Sequence, residues 1–319
     1  MTGLRCSGSS GPHVRVAIAQ TAPVYLDVSR SLIKALEFVH EAARRGVQLL
    51  VFGEAWLPGY PAWLDVCPGA ALWGNSSAKE VFARLRANSI RIPGKEVDAL
   101  RSAAKDQGIA VVIGANERID GGPGNGTLYN VLLTISAEGQ LVNHHQKLVP
   151  TFTERLVWGQ GDGRGLEAVE TAAGRVGGLI CWEHWMPLAR MALHNSGEQI
   201  HVAAWPTVND LHQLASRHYA FEGRCFVLAA GLLMRTEDLP TELSAVSPQP
   251  GNGEKWVERG GSAVIGPDAA YIVEPVFDRE ELIVADLDLT QIDRETMTLD
   301  VSGHYARPDL FRFEKKESA

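Results

Sequence analysis

Val14–Gln20 reads VRVAIAQ and Val47–Phe52 reads VQLLVF, and these two runs, with the segment between them, decide the fold class. The first alternates apolar and short residues, the pattern of a buried strand. The second is apolar almost throughout, as a strand covered on both faces is. Between them Val28, Leu32, Ala35, Leu36, Val39, Ala42 and Ala43 fall on one helical face, which predicts a helix over Val28–Arg45 that Gly46 stops. Strand, helix and strand within about 40 residues make a β-α-β unit. Such a unit implies a parallel pair joined by a right-handed crossover.

The alternation continues. Val97–Gln107 is predicted helical and Ile109–Ala115 (IAVVIGA) a strand, while Tyr129–Ser136 and Gln140–Gln146 form a hairpin turning at Ala137-Glu138-Gly139. Arg175–Ile180, Ile200–Ala204 and Cys225–Gly231 read as strands, with helices over Met186–Asn195 and Asp210–Glu222 between them. Ser262–Ile265, Ala270–Val273 and Leu282–Asp286 are three further short strands. The expected organisation is a flexible tail over 1–12, one α/β domain over 13–310 and a short tail over 311–319. Pro58–Ala78 and Arg235–Gly253 show no periodicity. Long irregular segments in a compact domain serve as lids, binding loops or interface arms.

With 319 residues, 45% of them hydrophobic, the chain buries a sizeable core without covalent staples. A net charge of −8 argues against nucleic acid or an anionic membrane surface as partner, since both need clustered Lys and Arg. The four cysteines, Cys6, Cys67, Cys181 and Cys225, form no Cys-x-x-Cys pair, so neither a disulfide framework nor a thiolate zinc site is expected. Four free thiols, a start without an apolar signal core and no bilayer-length apolar run predict a cytoplasmic protein. No Gly-x-Ser-x-Gly elbow, Walker lysine motif or His-Glu-x-x-His occurs. His144 and His145 are adjacent in a strand and face opposite sides, so they do not chelate one metal.

Three strand ends carry chemistry. Cys181 ends the run Val176-Gly177-Gly178-Leu179-Ile180, Glu54 follows Val47–Phe52, and Lys147 follows Gln140–Gln146. Ligand crevices open at the carboxyl ends of sheet strands. Taken singly, each residue has a plain reading: a buried apolar thiol, an acid capping a turn, a solvated lysine. Taken together they make a base, an electrostatic stabiliser and a nucleophile.

Several motifs then resemble one family. Phe52-Gly53-Glu54-Ala55-Trp56-Leu57-Pro58-Gly59-Tyr60-Pro61 is followed by Lys147-Leu148-Val149-Pro150-Thr151, Glu154-Arg155 and Trp158-Gly159. Cys181-Trp182-Glu183-His184, His218–Cys225 and Gly303–Asp309 complete the series. In this order they resemble the nitrilase branch of the carbon–nitrogen hydrolases, over about Val14 to Asp309. The resemblance implies a four-layer α-β-β-α sandwich. It implies a Glu-Lys-Cys triad with Glu54 as general base, Lys147 as stabiliser of the tetrahedral intermediate and Cys181 as nucleophile. Glu154 matches the family's second glutamate, which holds the lysine and helps position water. The backbone N–H of Trp182 would share the developing charge with Lys147.

The implied reaction is hydrolysis of an organic nitrile to the acid and ammonia through a covalent thioimidate and acyl-cysteine. The lysine is expected to favour the thiolate. The alternative is a related hydrolase of amides, carbamoyl compounds or cyanide. No cofactor or metal is expected, and the partners are a small nitrile and water. Trp56, Tyr60, Trp158, Glu183, His184 and Trp205 are candidate pocket residues, although His184 reads slightly better as a structural hydrogen-bonding group. The family builds dimers that extend into spirals, so a homodimer or higher homo-oligomer is expected.

Overall fold

The computed structural model describes residues 13–243 and 255–316. The expected tail over 1–12 with Cys6, residues 244–254 and the last three residues lie outside them.

The first half supplies β1 (His13–Gln20), α1 (Val28–Arg44), β2 (Leu49–Phe52), α2 (Trp63–Val66), α3 (Ser76–Asn88), α4 (Lys95–Gln107), β3 (Ala110–Arg118), β4 (Leu128–Ile135) and β5 (Leu141–Gln146). The second half supplies β6 (Val169–Thr171), β7 (Gly174–Ile180), α5 (Pro187–Asn195), β8 (Ile200–Ala204), α6 (Asp210–Gly223), β9 (Phe226–Ala230), β10 (Leu233–Arg235), β11 (Trp256–Ile265), β12 (Tyr271–Phe277), β13 (Glu281–Asp288) and α7 (Thr290–Glu295).

Two sheets result. One runs β13-β1-β2-β3-β4-β5, the other β10-β11-β9-β8-β7-β6 with β12 beside β11. The parallel pairs β1–β2 and β2–β3 in the first sheet, and β7–β8 and β8–β9 in the second, are where the β-α-β pattern puts them. Period-two alternation divides each central strand between two cores. In β1, Val16 and Ile18 join the cluster that holds Val176, Leu179 and Val202 of the second sheet, while Ala17 and Ala19 pack with Val39, Leu100 and Ala104 of α1 and α4. The α5 and α6 side chains Leu193, Ala215 and Tyr219 cover the far face of the second sheet. The layers are therefore helix, sheet, sheet, helix. Among the described residues no helix is long and apolar enough to cross a membrane.

Two readings change. Pro58–Ala78 is not wholly irregular: it holds α2 and the start of α3, whose buried side is only Ala78, Val81 and Leu85 among charged neighbours. That face is too narrow to stand out in the sequence. Cys67, which follows α2 in this segment, is buried against α2 and α3. The strand expected at Ser262–Ile265 begins at Trp256. Gly260 and Gly261 sit at φ +77° and +78°, and the register with β12 shifts between Gly260 and Ser262. A glycine-built irregularity inside a strand reads in sequence as its end.

One close approach seats the site. A Cβ on Gly114 of β3 would lie 2.3 Å from Gly53 O and 2.5 Å from Ala55 N, the backbone that carries Glu54. Neither backbone has room to yield. Gly114→Ala is therefore expected to cost about 1–3 kcal/mol and to lower turnover further by displacing Glu54. Thermal melting and steady-state kinetics of the variant check both.

Candidate active site

Glu54, Lys147 and Cys181 come from three strand ends and meet at one edge of the sandwich. Glu54 follows β2 and is wholly buried, held there by its neighbours' shape: Ala55 turns the chain at φ +48°. Lys147 follows β5, and its backbone N–H donates to Asn130 O of β4 at 2.8 Å. Glu154 lies on a short 3-10 turn, Phe152–Leu156. Cys181 follows β7 at φ +52°, a left-handed conformation that costs a non-glycine residue of order 1–3 kcal/mol.

The centre is an ammonium between two carboxylates. Lys147 Nζ donates to Glu54 Oε1 at 2.9 Å and to Glu154 Oε2 at 2.7 Å, and its side chain has no exposed surface. Asn130 Nδ2 donates to the same Glu54 oxygen at 2.7 Å. Glu154 also accepts from Thr151 N at 2.6 Å and from the Tyr60 hydroxyl at 2.9 Å. A carboxylate oxygen of Glu54, one of Glu154 and Cys181 Sγ lie within 4.8 Å of one another. Those three groups have the look of a metal site, but the Lys147 ammonium already stands among them as the cation. Glu54 Oε2 has no hydrogen-bond partner although it is buried. That leaves one lone-pair-bearing oxygen free to take a proton.

Burial sets the protonation states. It pushes Glu54 up to about 7, with Glu154 adding to the rise and Lys147 and Asn130 opposing it. Burial works against the Lys147 ammonium, but Glu54, Cys181 and Glu154 outweigh it and hold its pKa above the ordinary value. Cys181 is raised well above a free thiol by burial and by Glu54; Lys147 and the Trp182 N–H pull the other way without prevailing. The resting group is thus a thiol, not the thiolate expected beside a lysine. One ammonium shared by two carboxylates cannot also pay for a third anion in a dry site.

A cavity of about 330 Å³ opens onto Cys181. Its walls include Tyr60, Asp65, Phe152, Glu154, Trp182, Thr207, Asn209, His212 and Glu258. Of the candidate pocket residues, Tyr60 lines it. The other five lie behind the walls. Trp56 packs on Phe52 at 4.9 Å between ring centroids and donates to Thr21 O at 2.9 Å. Trp158 sits under the lysine, 5.8 Å from Nζ, and donates to Asn116 Oδ1 at 2.8 Å. Trp205 is wholly buried and stacks on His184 and His212. Glu183 accepts from Ile180 N at 2.7 Å, Leu148 N at 2.8 Å and His145 Nε2 at 2.9 Å. It thereby ties the backbone next to Cys181 to the backbone next to Lys147. His184 is buried, its Nδ1 2.7 Å from Cys181 O.

Asn130 and Glu258 escaped the sequence reading. Asn130 carried a signal, as a lone amide in the apolar strand LYNVLLTI. Glu258 lay in the half of β11 hidden by the glycine irregularity. It is part-buried at the cavity wall and accepts from the Thr207 hydroxyl. Burial pushes it up to about 7, against that hydrogen bond, with Glu54 and Asp65 adding to the rise.

The carbon-nitrogen hydrolase family pattern matches residues 15–294. The chain belongs to the carbon–nitrogen hydrolases. Within them it falls in the nitrilase branch. It is 42% identical over 96% of its length to a nitrilase 2 from an unknown prokaryotic organism, covering 93% of that protein. It is 39% identical to an aliphatic nitrilase of Sinorhizobium fredii, covering 93% of this chain and 94% of that one. It is 37% identical to a bifunctional nitrilase/nitrile hydratase of Nicotiana tabacum, covering 98% and 88%. Among solved structures, a carbon–nitrogen hydrolase of Helicobacter pylori superposes with a TM-score of 0.67 at 15% identity, over 94% of this chain and 97% of that one. An amidase from Nesterenkonia gives 0.61 at 20%, over 91% and 95%. These distant likenesses speak for the fold. The four-layer sandwich of this hydrolase is the family's.

With Glu54 as the general base that the family resemblance implies, which takes a proton only when ionised, this hydrolase is expected to lose kcat/KM as the pH falls through about 7, by a factor of about ten per unit below it. The pH dependence of kcat/KM reads this directly.

Proposed function

We propose that this hydrolase converts an organic nitrile to the carboxylic acid and ammonia, with Cys181 as nucleophile and Glu54 as the base that activates it. The observation that carries the reading is a Glu54 carboxylate oxygen within 4.8 Å of Cys181 Sγ, on a buried carboxylate whose Oε2 has no hydrogen-bond partner, in a chain about 40% identical to nitrilases. A nitrile carbon is a poor electrophile and needs a strong nucleophile. As the S–C bond forms, the thiol proton passes to Glu54 and on to the nitrile nitrogen, giving a thioimidate. Glu54 next deprotonates a water that adds to that carbon, and passes the proton on to the nitrogen. The tetrahedral intermediate expels ammonia and leaves a thioester, which a second water hydrolyses to the acid and the free thiol. Lys147, braced by Glu154, and the Trp182 N–H offset the charge that builds on nitrogen and oxygen.

The intermediate has two leaving groups. Expelling the thiol instead of ammonia gives the amide, the branch that the bifunctional relatives' name describes. The cavity wall adds selectivity. Asp65, Glu154 and Glu258 line it, and none of its wall residues is Lys or Arg. A substrate bearing a carboxylate would be repelled there, whereas a neutral or hydrogen-bond-donating one fits. In a panel of nitriles and matching amides, neutral nitriles are expected to yield acid and ammonia, and ω-carboxynitriles to react poorly. Ammonia from amides alone would sink the reading. Cys181→Ala should stay folded and lose turnover by at least about 10³-fold, checked by circular dichroism and ammonia release.

The helix layer over the second sheet supports self-association. Leu188 of α5 and Leu211, Leu214 and Phe221 of α6 are exposed, with Trp182 and Trp185 beside them. Contiguous apolar patches on a folded surface mark protein contacts. Burying this face against a second copy gives a dimer, and light scattering after size exclusion should return twice the chain mass; Leu211→Glu should return the single mass.

A further inference from the structure

The cavity that opens onto Cys181 holds a carboxylate that the reaction above does not use. Exposure rises along the wall from Cys181 and Glu154, which are buried, through Glu258 of β11, which is part-buried, to Asp65 and Trp182, which are exposed. With a nitrile carbon on Cys181, the rest of the substrate fills the space that Glu258 walls.

Hydrogen bonds fix which oxygen of Glu258 is free. Arg259 N donates to Thr207 Oγ1 at 2.9 Å, and the Thr207 hydroxyl donates to Glu258 Oε2. A hydroxyl carries one hydrogen, so Oε2 is held as an acceptor whether or not Glu258 is ionised. Oε1 makes no hydrogen bond among the described residues, and unlike Glu54 Oε2 it is not sealed from solvent. Oε1 is the atom that Glu258 offers to a substrate.

No cation among the described residues offsets the charge of that carboxylate. None of the wall residues is Lys or Arg. The guanidinium of Arg259, next in the chain, pairs with Asp278 at 2.8 Å. Lys147 is divided between Glu54 and Glu154. His212 shares the wall and turns Nδ1 to Thr207 O. Burial keeps His212 below the ordinary imidazole value, against that hydrogen bond, so it is neutral where the hydrolase works. Burial lifts Glu258 to about 7, against the Thr207 hydrogen bond and with the acids Glu54 and Asp65 adding to the rise. Glu54 is lifted to the same value. The pH range in which Glu54 is ionised is therefore also the range in which Glu258 is.

We propose that Glu258 is a specificity residue that selects nitriles carrying an ammonium group at the end remote from the nitrile, with the ammonium on Oε1 and the nitrile carbon on Cys181. This rests on the nitrile reading of the reaction and narrows it to a substrate class. An ionised oxygen without a partner is costly in a part-buried place. An ammonium satisfies both its lone pairs and its charge. A hydroxyl satisfies only the lone pairs, and an alkyl end satisfies neither. Asp65, exposed at the mouth, adds attraction for a cation on its way in.

Three nitriles of equal length test this on the full-length protein, at fixed ionic strength and at a pH above the acid limb: ω-aminobutyronitrile, which is protonated there, ω-hydroxybutyronitrile and valeronitrile. In the wild type, kcat/KM is expected to fall in that order, by about tenfold or more from first to last, the scale of a hydrogen bond to a charged group. Glu258→Gln keeps an acceptor for the Thr207 hydroxyl and removes the charge. It is expected to bring the ratio of aminonitrile to valeronitrile down by about tenfold, mainly through KM for the aminonitrile. A wild type that handles valeronitrile as well as the aminonitrile overturns the proposal, and so does a ratio that survives in Glu258→Gln. Inhibition of the wild type needs neither a folded variant nor a nitrile. Butylammonium is expected to compete with whichever of nitrile or amide the hydrolase turns over, and butanol to compete about tenfold more weakly. Equal inhibition by the two overturns the proposal. Ammonia from amides alone refutes the nitrile reading, whereas the two inhibitors read Glu258 on either substrate.

Discussion

A single buried ammonium organises this protein. Lys147 is wholly enclosed and makes its ion pairs with Glu54 and Glu154, each of which comes from a different part of the chain. Removing a charge from water costs several kcal/mol even after relaxation, and only close, well-satisfied partners return it. The surroundings fit that demand. Asn130, Thr151 and Tyr60 complete the hydrogen bonds of the two carboxylates, and Trp158 presents its ring to the ammonium. Two acids against one base leave the site short of positive charge. Burial, with the Glu154 charge added to it, raises Glu54 to about 7, a range where it can both take and give a proton near neutrality. Burial and the Glu54 charge likewise hold the Cys181 thiol well above its ordinary value.

Side chains hold the backbone on both sides of Cys181. Cys181 stands at the end of β7 in a left-handed turn, and hydrogen bonds from Glu183 and His184 bracket it. Glu183 also reaches Leu148, so the backbone beside the thiol and the backbone beside the lysine share one carboxylate. The two sheets are thereby coupled through side chains at the point where their strand ends face each other. Glycines make the approach possible. Gly114 admits the Glu54 loop and Gly177 admits Glu198: a methyl group on Gly114 would collide with backbone, and one on Gly177 with the Glu198 carboxylate.

Much of the frame was legible. The alternating run of β1, the continuous apolar run of β2, the short strand at β7 and the wide apolar face of α1 are local patterns, and they located the strand ends from which Glu54 and Cys181 project. The features that were misread were those whose local signal is weak or interrupted. The narrow buried side of α3 and the paired glycines of β11 both hide an element. With β11 went Glu258, a wall residue of the cavity. The tryptophans were misplaced for a different reason. Trp56 and Trp205 are near the site in sequence, yet one packs into the outer core with Phe52 and the other stacks within the histidine layer. Side-chain direction at a strand end depends on the turn that follows, and a positive φ such as that of Ala55 reverses it.

By itself, the sequence determined most of the strands and helices, the α/β class of the fold, and which carboxylate, ammonium and thiol stand at strand ends. These follow from periodicity and residue type, which act over a few neighbours along the chain. Tertiary structure alone decided which of those groups touch, that the thiol rests protonated, which aromatic rings line the cavity, and that Glu258 stands on the wall of the same cavity as Cys181. Those are properties of distance and burial. Lys147 and Glu54 are 93 positions apart in the chain and 2.9 Å apart in space, and a charge's state depends on what surrounds it in space, not on what precedes it in sequence.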